Sequence, residues 1–304
     1  MQTRRIGSLV VSTIGLGCNN FGWRIDAAAT TQVVLAALDA GITFFDTADI
    51  YGGTKAEEFL GRALGRRRNE VVIATKFGGR VDESRQGARP DYVRRAVEDS
   101  LRRLGTDRID LYQLHRPDPT VPIGDTLAAL DALVQAGKVR QIGCSNFTVA
   151  QLREARDATR PEAAGFVSVQ NEYSLLHRDP ERDVLPECER SGVAFLPYFP
   201  LASGLLTGKL RPGEPAPPGT RLAESGARIL SRRNLDIVAA LERFARSKGR
   251  TLLVLAVSWL LARAIVASVI AGATSAAQVQ SNAHAGGWTL APDELHEIDL
   301  LTQP

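Results

Sequence analysis

Several things are scarce in this sequence. Its 304 residues include only three cysteines, one methionine, four histidines and five lysines. Cys18, Cys144 and Cys188 are too few and too scattered for a disulfide framework, and no Cys/His spacing suggests zinc, so a reducing compartment is expected. Long hydrophobic runs are lacking too: the longest, Leu252 to Ala262, is about half the ~20 residues that a membrane-spanning helix needs. The N-terminal stretch carries a basic pair, Arg4-Arg5, but no uninterrupted apolar core with a small-residue cleavage site, and a cytoplasmic location is expected. Neither sign of charge is in excess, with 37 Lys+Arg against 34 Asp+Glu. The basic residues are spread along the chain with no phosphate-tracking stripe, so nucleic acid is not an expected partner. Against so few lysines, Lys76 at the end of an apolar run stands out.

What is present is an ordinary globular composition, 44% hydrophobic and 23% charged. Residues 2–12 read as two short strands around Gly7-Ser8, a hairpin signal. Eight short β-branched or aromatic runs follow: Ser12–Gly17, Thr43–Asp46, Val71–Lys76, Ile109–His115, Arg140–Cys144, Phe166–Gln170, Val193–Tyr198 and Ala267–Ala271. Between them lie segments of helical spacing, such as Tyr92, Val93, Ala96, Val97, Ser100, Leu101 and Leu104 with Arg and Glu opposite. Strands alternating with helices argue for parallel pairing, because each crossover helix covers the sheet. The expected fold is therefore α/β, one (β/α)8 TIM barrel spanning residues 1–304.

An open dinucleotide-binding sheet fits less well. Its G-x-G-x-x-G fingerprint is incomplete at Gly15-Leu-Gly-Cys-Asn-Asn20, and Gly204-Leu-Leu-Thr-Gly-Lys209 is one residue short of a P-loop. Residues 211–231 are too polar and too rich in Pro and Gly for a regular element and too long for a plain connection; they are expected to lie as a loop over the barrel mouth.

In such a barrel the active site lies where the strands end. The polar residues that end the apolar runs are Asp46, Lys76, His115, Ser145-Asn146 and Gln170, at gaps of 30, 39, 30 and 25 residues, each about one βα unit. Every one has a structural alternative. Asp46 could cap a turn, Lys76 could snorkel to water, and His115 could be a satisfied core histidine. Tyr51 could be a packed turn aromatic, and Ser145-Asn146 could cap the helix that begins near Val149. Together, however, Asp, Tyr, Lys and His are what proton transfer by a phenol requires. A tyrosine, with an unperturbed pKa of ~10, is a weak acid at neutral pH. A cation beside it favours the phenolate, and a carboxylate beside the lysine keeps that lysine charged in a shielded site.

The sequence resembles the aldo-keto reductase superfamily over nearly its whole length. The segments that carry the resemblance are Ile14-Gly-Leu-Gly17, Phe45-Asp-Thr-Ala-Asp-Ile-Tyr51-Gly, Glu57-Glu-Phe-Leu-Gly-Arg-Ala-Leu64 and Ser100-Leu-Arg-Arg-Leu-Gly-Thr-Asp107. Further along they are Ile109-Asp-Leu-Tyr-Gln-Leu-His115, Gly137 to Phe147, Val169-Gln-Asn-Glu-Tyr-Ser174 and Pro200 to Lys209. The resemblance implies a barrel whose bottom is closed by the N-terminal hairpin, and reduction of small aldehydes or ketones by hydride from a nicotinamide cofactor. It implies that Tyr51 is the general acid, Lys76 and Asp46 its tuning pair, and His115 the substrate-orienting histidine. Ser145, Asn146 and Gln170 would hold the nicotinamide carboxamide, with Tyr198 stacked on the ring and Gly17 and Asp46 beside it. Leu201, Ser203, Gly204, Leu206 and Lys209 would follow the pyrophosphate. Gly272, Thr274, Ser275, Gln278 and Asn282 would form the adenosine pocket.

NADPH is the implied cofactor, with NADH as an alternative, because positions near Thr274 and Gln278 carry a hydroxyl and an amide where relatives that prefer NADPH often carry Lys or Arg. Trp23 is either a substrate contact or a packed loop aromatic. The resemblance also admits a cofactor-sensing regulatory subunit on the same fold, as in potassium-channel β subunits.

Overall fold

The computed structural model describes residues 1–210, 214–216 and 219–302, and of 225–228 the backbone alone. Two strands open the chain, β1 (Thr3–Ile6) and β2 (Leu9–Ser12), with Gly7 at φ 54° in the turn between them. Strands and helices then alternate: β3 (Ile14–Gly17), α1 (Ala27–Asp39), β4 (Phe44–Asp46), α2 (Lys55–Leu64), β5 (Val72–Phe77), α3 (Pro90–Leu104) and β6 (Ile109–Leu114). The series continues with α4 (Ile123–Gln135), β7 (Val139–Ser145), α5 (Val149–Ala158), β8 (Phe166–Glu172), α6 (Val184–Ser191) and β9 (Ala194–Tyr198). Three helices, α7 (Arg221–Ile229), α8 (Arg232–Ser247) and α9 (Leu252–Leu261), precede β10 (Val269–Gly272), and α10 (Ala276–His284) and α11 (Pro292–Thr302) follow it.

Strands β3 to β10 pair in parallel in the order β10-β3-β4-β5-β6-β7-β8-β9. The ring closes where Phe195 bridges Val266, with Phe195 N donating to Ile265 O at 2.9 Å and Ala267 N to Phe195 O at 3.0 Å. All eight barrel strands lie where the apolar runs place them. Every residue of β5 and β6 is buried, as expected of parallel strands covered on both faces. Helix α3 shows how the covering layer forms. Pro90 starts it with a preset φ, Gly105 ends it in the left-handed region, and Tyr92, Val93, Ala96, Val97, Ser100, Leu101 and Leu104 form its buried stripe.

The hairpin stops one end of the barrel. Ile6, Leu9 and Val11 share an apolar cluster with Phe44, Val72, Ala74, Leu111 and Leu196 from the barrel strands. Arg4 extends this plug sideways: its guanidinium donates to the carbonyls of Leu261 at 2.6 Å, Arg263 at 2.9 Å and Val266 at 2.5 Å.

One expectation needs correction. Part of the stretch 211–231, read as irregular throughout, is helix α7. Thr220 starts it by accepting from Ala223 N, and Leu222, only 4% exposed, anchors it in the core. With its anchors Leu222 and Ile229 seven residues apart and Pro-rich sequence before them, the helical period is invisible to a pattern search. Residues 211–213, 217 and 218 of that stretch lie outside the described ones. No helix among the described residues is long and apolar enough to cross a membrane.

Candidate active site

The strand register sets the chemistry at the open end. Gly17 lies beside Asp46, Lys76 beside Gln113, and Ser145 beside Gln170, so their polar groups converge on one rim. Lys76 is fully buried, and its Nζ donates to Asp46 Oδ2 at 2.6 Å, Thr47 O at 2.9 Å and Tyr51 Oη at 3.4 Å. The snorkelling alternative is thereby excluded. Asp46 caps no turn; its Oδ1 accepts from Gln170 Nε2 at 2.9 Å and Gln113 Nε2 at 3.3 Å.

Tyr51 follows β4 in a tight 3-10 turn, Tyr51–Thr54, in which Gly52 and Gly53 take φ values of 58° and 61°. At Gly52 no other residue fits, since a Cβ there would lie 2.2 Å from Phe21 O. Burial raises the Tyr51 phenol above its ordinary value; Lys76 pulls it down and Asp46 pushes it up. The expected lowering by Lys76 is therefore present but smaller than the effect of leaving water. For Lys76, burial disfavours the charge, yet Asp46 and Tyr51 more than offset it and hold the ammonium.

His115 follows β6 and meets the Tyr51 ring edge-on at 5.8 Å between centroids. Burial, then the charges of Lys76 and Arg116, push its pKa down to about 3, so its imidazole is neutral at physiological pH. Its Nδ1 is buried without a hydrogen-bond partner among the described residues. Asn146, in the left-handed region at φ 63°, donates through Nδ2 to His115 O at 2.9 Å and to Ser145 Oγ at 3.1 Å, and accepts from Tyr198 Oη at 2.8 Å. Ser145 Oγ donates to Gln170 O at 2.7 Å. Neither Ser145 nor Asn146 caps α5: that is done by Thr148, in a reciprocal box with Gln151.

These groups line a cleft of ≈ 1020 Å³, at the upper end of the range for small-molecule sites. From Tyr51, His115, Ser145, Asn146, Gln170 and Tyr198 it runs past Leu201, Ser203, Gly204 and Lys209 to Gly272, Thr274, Ser275, Gln278 and Asn282. Along its middle, Ala202, Ser203, Gly204 and Gly208 all have positive φ, a backbone that can turn successive N–H groups towards an anion. At its far end Ser275 caps α10, and the helix N-terminus favours negative charge. Gln278 Oε1 accepts from Thr274 N at 2.8 Å and Thr274 Oγ1 at 3.1 Å. A long cleft with a neutral polar end, an N–H-rich middle and a helix N-terminus fits a nicotinamide dinucleotide.

Two of the sequence candidates lie elsewhere. Leu206 is fully buried in the core and does not line the cleft; on a tight turn its side chain alternates inward. Trp23, 58% exposed, stands outside the lining and lies under the guanidinium groups of Arg24 at 4.4 Å and Arg221 at 6.0 Å. Conversely, sequence reasoning missed Gln113, Asn20 and Arg116. Gln113 precedes His115 by two in a strand, so the period of two carried a signal for it. Asn20, which donates to Ala273 O at 3.3 Å and accepts from Arg221 at 3.1 Å, follows a strand end without any motif signal.

Comparison with known proteins agrees with this geometry. The sequence pattern of the aldo/keto reductase family matches residues 13–303. The chain is 33% identical to the aldo-keto reductase YhdN of Bacillus subtilis, over 96% of this chain and 90% of that one. It is 34% identical to a probable voltage-gated potassium channel subunit beta of Arabidopsis thaliana, over 93% of this chain and 90% of that one. Among solved structures, a glycerol dehydrogenase from Gluconobacter oxydans superposes with a TM-score of 0.86 at 31% identity, covering 98% of this chain and 94% of that one. The holo form of an aldo-keto reductase from Bacillus halodurans superposes with a TM-score of 0.83 at 34% identity, covering 99% and 96%. The barrel, the cleft and these likenesses together make the chain an oxidoreductase of the aldo/keto reductase family.

Proposed function

We propose that the protein reduces aldehydes and ketones to alcohols with NADPH, and that Tyr51 gives the proton. The observation that carries this reading is the buried chain Asp46–Lys76–Tyr51, linked at 2.6 and 3.4 Å, opening onto the cleft. When bound, the reduced nicotinamide supplies the hydride. The residues of the chain do the rest. Burial keeps Tyr51 protonated at working pH, as an acid must be before it acts. As negative charge develops on Oη, the Lys76 ammonium beside it stabilises the forming phenolate, and Asp46 keeps that ammonium in place. Neutral His115 offers the carbonyl oxygen a hydrogen bond without competing as a charged acid. Asn146 ties the His115 backbone to Tyr198, so the groups that face substrate and nicotinamide share one support.

The test is Tyr51→Phe, which removes one oxygen and keeps the ring. Carbonyl reduction is expected to fall ~10²–10⁴-fold in kcat/KM while NADPH affinity, followed by protein fluorescence, stays close to the parent. Near-normal turnover in that variant would move the acid's role to His115. Likeness to the plant channel-β relative supports a second reading, a cofactor-sensing subunit. Turnover separates the two, because a sensor binds NADPH without sustained carbonyl reduction.

A further inference from the structure

Arg116 is the residue after His115, exposed on the rim and lining the same cleft. Its charge is felt on both sides of the substrate end, pushing His115 down and drawing Tyr198 down against its burial. Among the described residues it has neither a hydrogen bond nor an ion pair. The nearest acid in sequence, Asp118, is engaged elsewhere, accepting from Ala88 N at 2.9 Å, Thr120 N at 3.0 Å and Thr120 Oγ1 at 2.6 Å. Glu172, the carboxylate felt at Tyr198, makes no ion pair with Arg116 among the described residues.

Two of the other cations that line the cleft are engaged. Arg24 pairs with Glu224 and donates to Gly219 O at 2.6 Å. Arg221 is bonded to Asn20 and lies over the Phe199 ring at 5.3 Å. Lys209 lies just after the loop of positive-φ residues Ala202, Ser203, Gly204 and Gly208. Lys76 is buried and spoken for by Asp46. Among the described cations that line the cleft, Arg116 is the one without a hydrogen bond or ion pair that adjoins His115 in the chain.

We infer that Arg116 is a specificity-determining residue, and that the carbonyl substrate carries an anionic group, a carboxylate or a phosphate, a few bonds from its carbonyl. This rests on the reductase reading above. A planar guanidinium matches either anion with paired N–H donors, and such charge-assisted contacts are the strong ones. The same contact would orient the carbonyl towards Tyr51 and His115, because it fixes the substrate at a second point.

The test compares matched aldehydes with full-length protein and NADPH: para-carboxybenzaldehyde against its methyl ester, and glycolaldehyde phosphate against glycolaldehyde. The parent is expected to favour the charged member in at least one pair by roughly ten- to a hundred-fold in kcat/KM. Arg116→Gln should collapse that ratio at least tenfold, and Arg116→Glu should invert it; which pair responds tells carboxylate from phosphate. A parent ratio near one in both pairs, or a ratio unchanged in Arg116→Gln, overturns the inference while Tyr51-dependent turnover leaves the reductase reading standing. An increase in the NADPH Kd of Arg116→Gln as large as its loss on charged aldehydes also overturns it, by assigning the guanidinium to the cofactor. Absence of turnover on all four aldehydes overturns both readings.

Discussion

Replacing Lys76 with methionine removes one charge and little volume, and two separate consequences can be worked out. The first is catalytic. At the 3.4 Å between Lys76 Nζ and Tyr51 Oη, and an effective dielectric of about 20, an ammonium–phenolate pair is worth about 5 kcal/mol. That is more than three powers of ten in an equilibrium, so kcat/KM is expected to fall ~10³-fold or more if most of the phenolate charge has developed in the transition state. The second is structural. Asp46, only 3% exposed, keeps its amide donors from Gln170 and Gln113 but loses its counter-charge, and an unpaired buried charge of this kind typically costs about 3–5 kcal/mol. The double variant Asp46→Asn/Lys76→Met separates these effects. With both charges gone it should melt nearer the parent than Lys76→Met does, yet remain as slow in carbonyl reduction. Thermal unfolding and the absorbance of reduced nicotinamide measure the two quantities on the same preparations. Recovery of turnover in the double variant, or a single variant within about threefold of the parent, would refute the electrostatic account.

Asp49, two residues before Tyr51, has its carboxyl pushed up to about 7 by burial, then by Glu57, against the pull of Arg103. Between pH ~4 and ~7 the folded chain holds a proton there that the unfolded chain has released, so stability falls as pH rises through that window and levels off above it; Asp49→Asn should raise stability at pH 8, by at most on the order of 4 kcal/mol, and not at pH 4. A melting temperature for Asp49→Asn that is equal to the parent's at both pH values counts against the buried charge. Gly52→Ala should lower stability by about 1–3 kcal/mol and reduce kcat by shifting Tyr51, whereas Gly53→Ala, with open space around its Cβ, should cost only the backbone strain; equal melting temperatures for the two variants would contradict the clash with Phe21 O. With Thr274 and Gln278 bonded to each other and carrying no charge, preference for NADPH over NADH should be at least about tenfold weaker than a guanidinium on the 2′-phosphate would give. Strict NADPH dependence that survives Arg221→Ala, measured by steady-state constants for both cofactors, would contradict that.

The barrel was legible because its signals are local and repeated. Val72-Ile73-Ala74 and Leu111-Tyr112 are consecutive apolar residues in short runs, as a strand covered on both faces needs, and the stripe on α3 can be counted off the sequence residue by residue. The rim residues were legible because each ends such a run. What escaped depends on three-dimensional neighbours. Arg116 has no signature beyond following His115, and its meaning comes from its having no hydrogen bond or ion pair among the described residues. Leu206 and Ser203 are three apart in one tight turn, and only the packing shows that one faces the core and the other the cleft. The helical character of Arg221–Ile229 rests on a threonine cap and one buried leucine, too little to rise above its proline-rich flank. The direction of the Tyr51 pKa could not be read from the presence of a lysine, because it is a contest between that charge and the degree of burial.

The clasp formed by Arg4 bears on how such a ring is kept shut. Its last joint, between β9 and β10, is a single bridge at Phe195 and Val266 rather than a long ladder. Three carbonyls of the segment that delivers β10 to this joint are gripped by a residue from β1, which belongs to neither strand that meets there. The barrel is thus buckled from outside, at the end opposite its chemistry. Trimming the first dozen residues should therefore loosen the seam before it touches the site, with faster amide exchange at Phe195 and Ala267 than at the β5–β6 ladder. A strand that precedes the barrel in the chain, β1, would then serve as the fastener for β10.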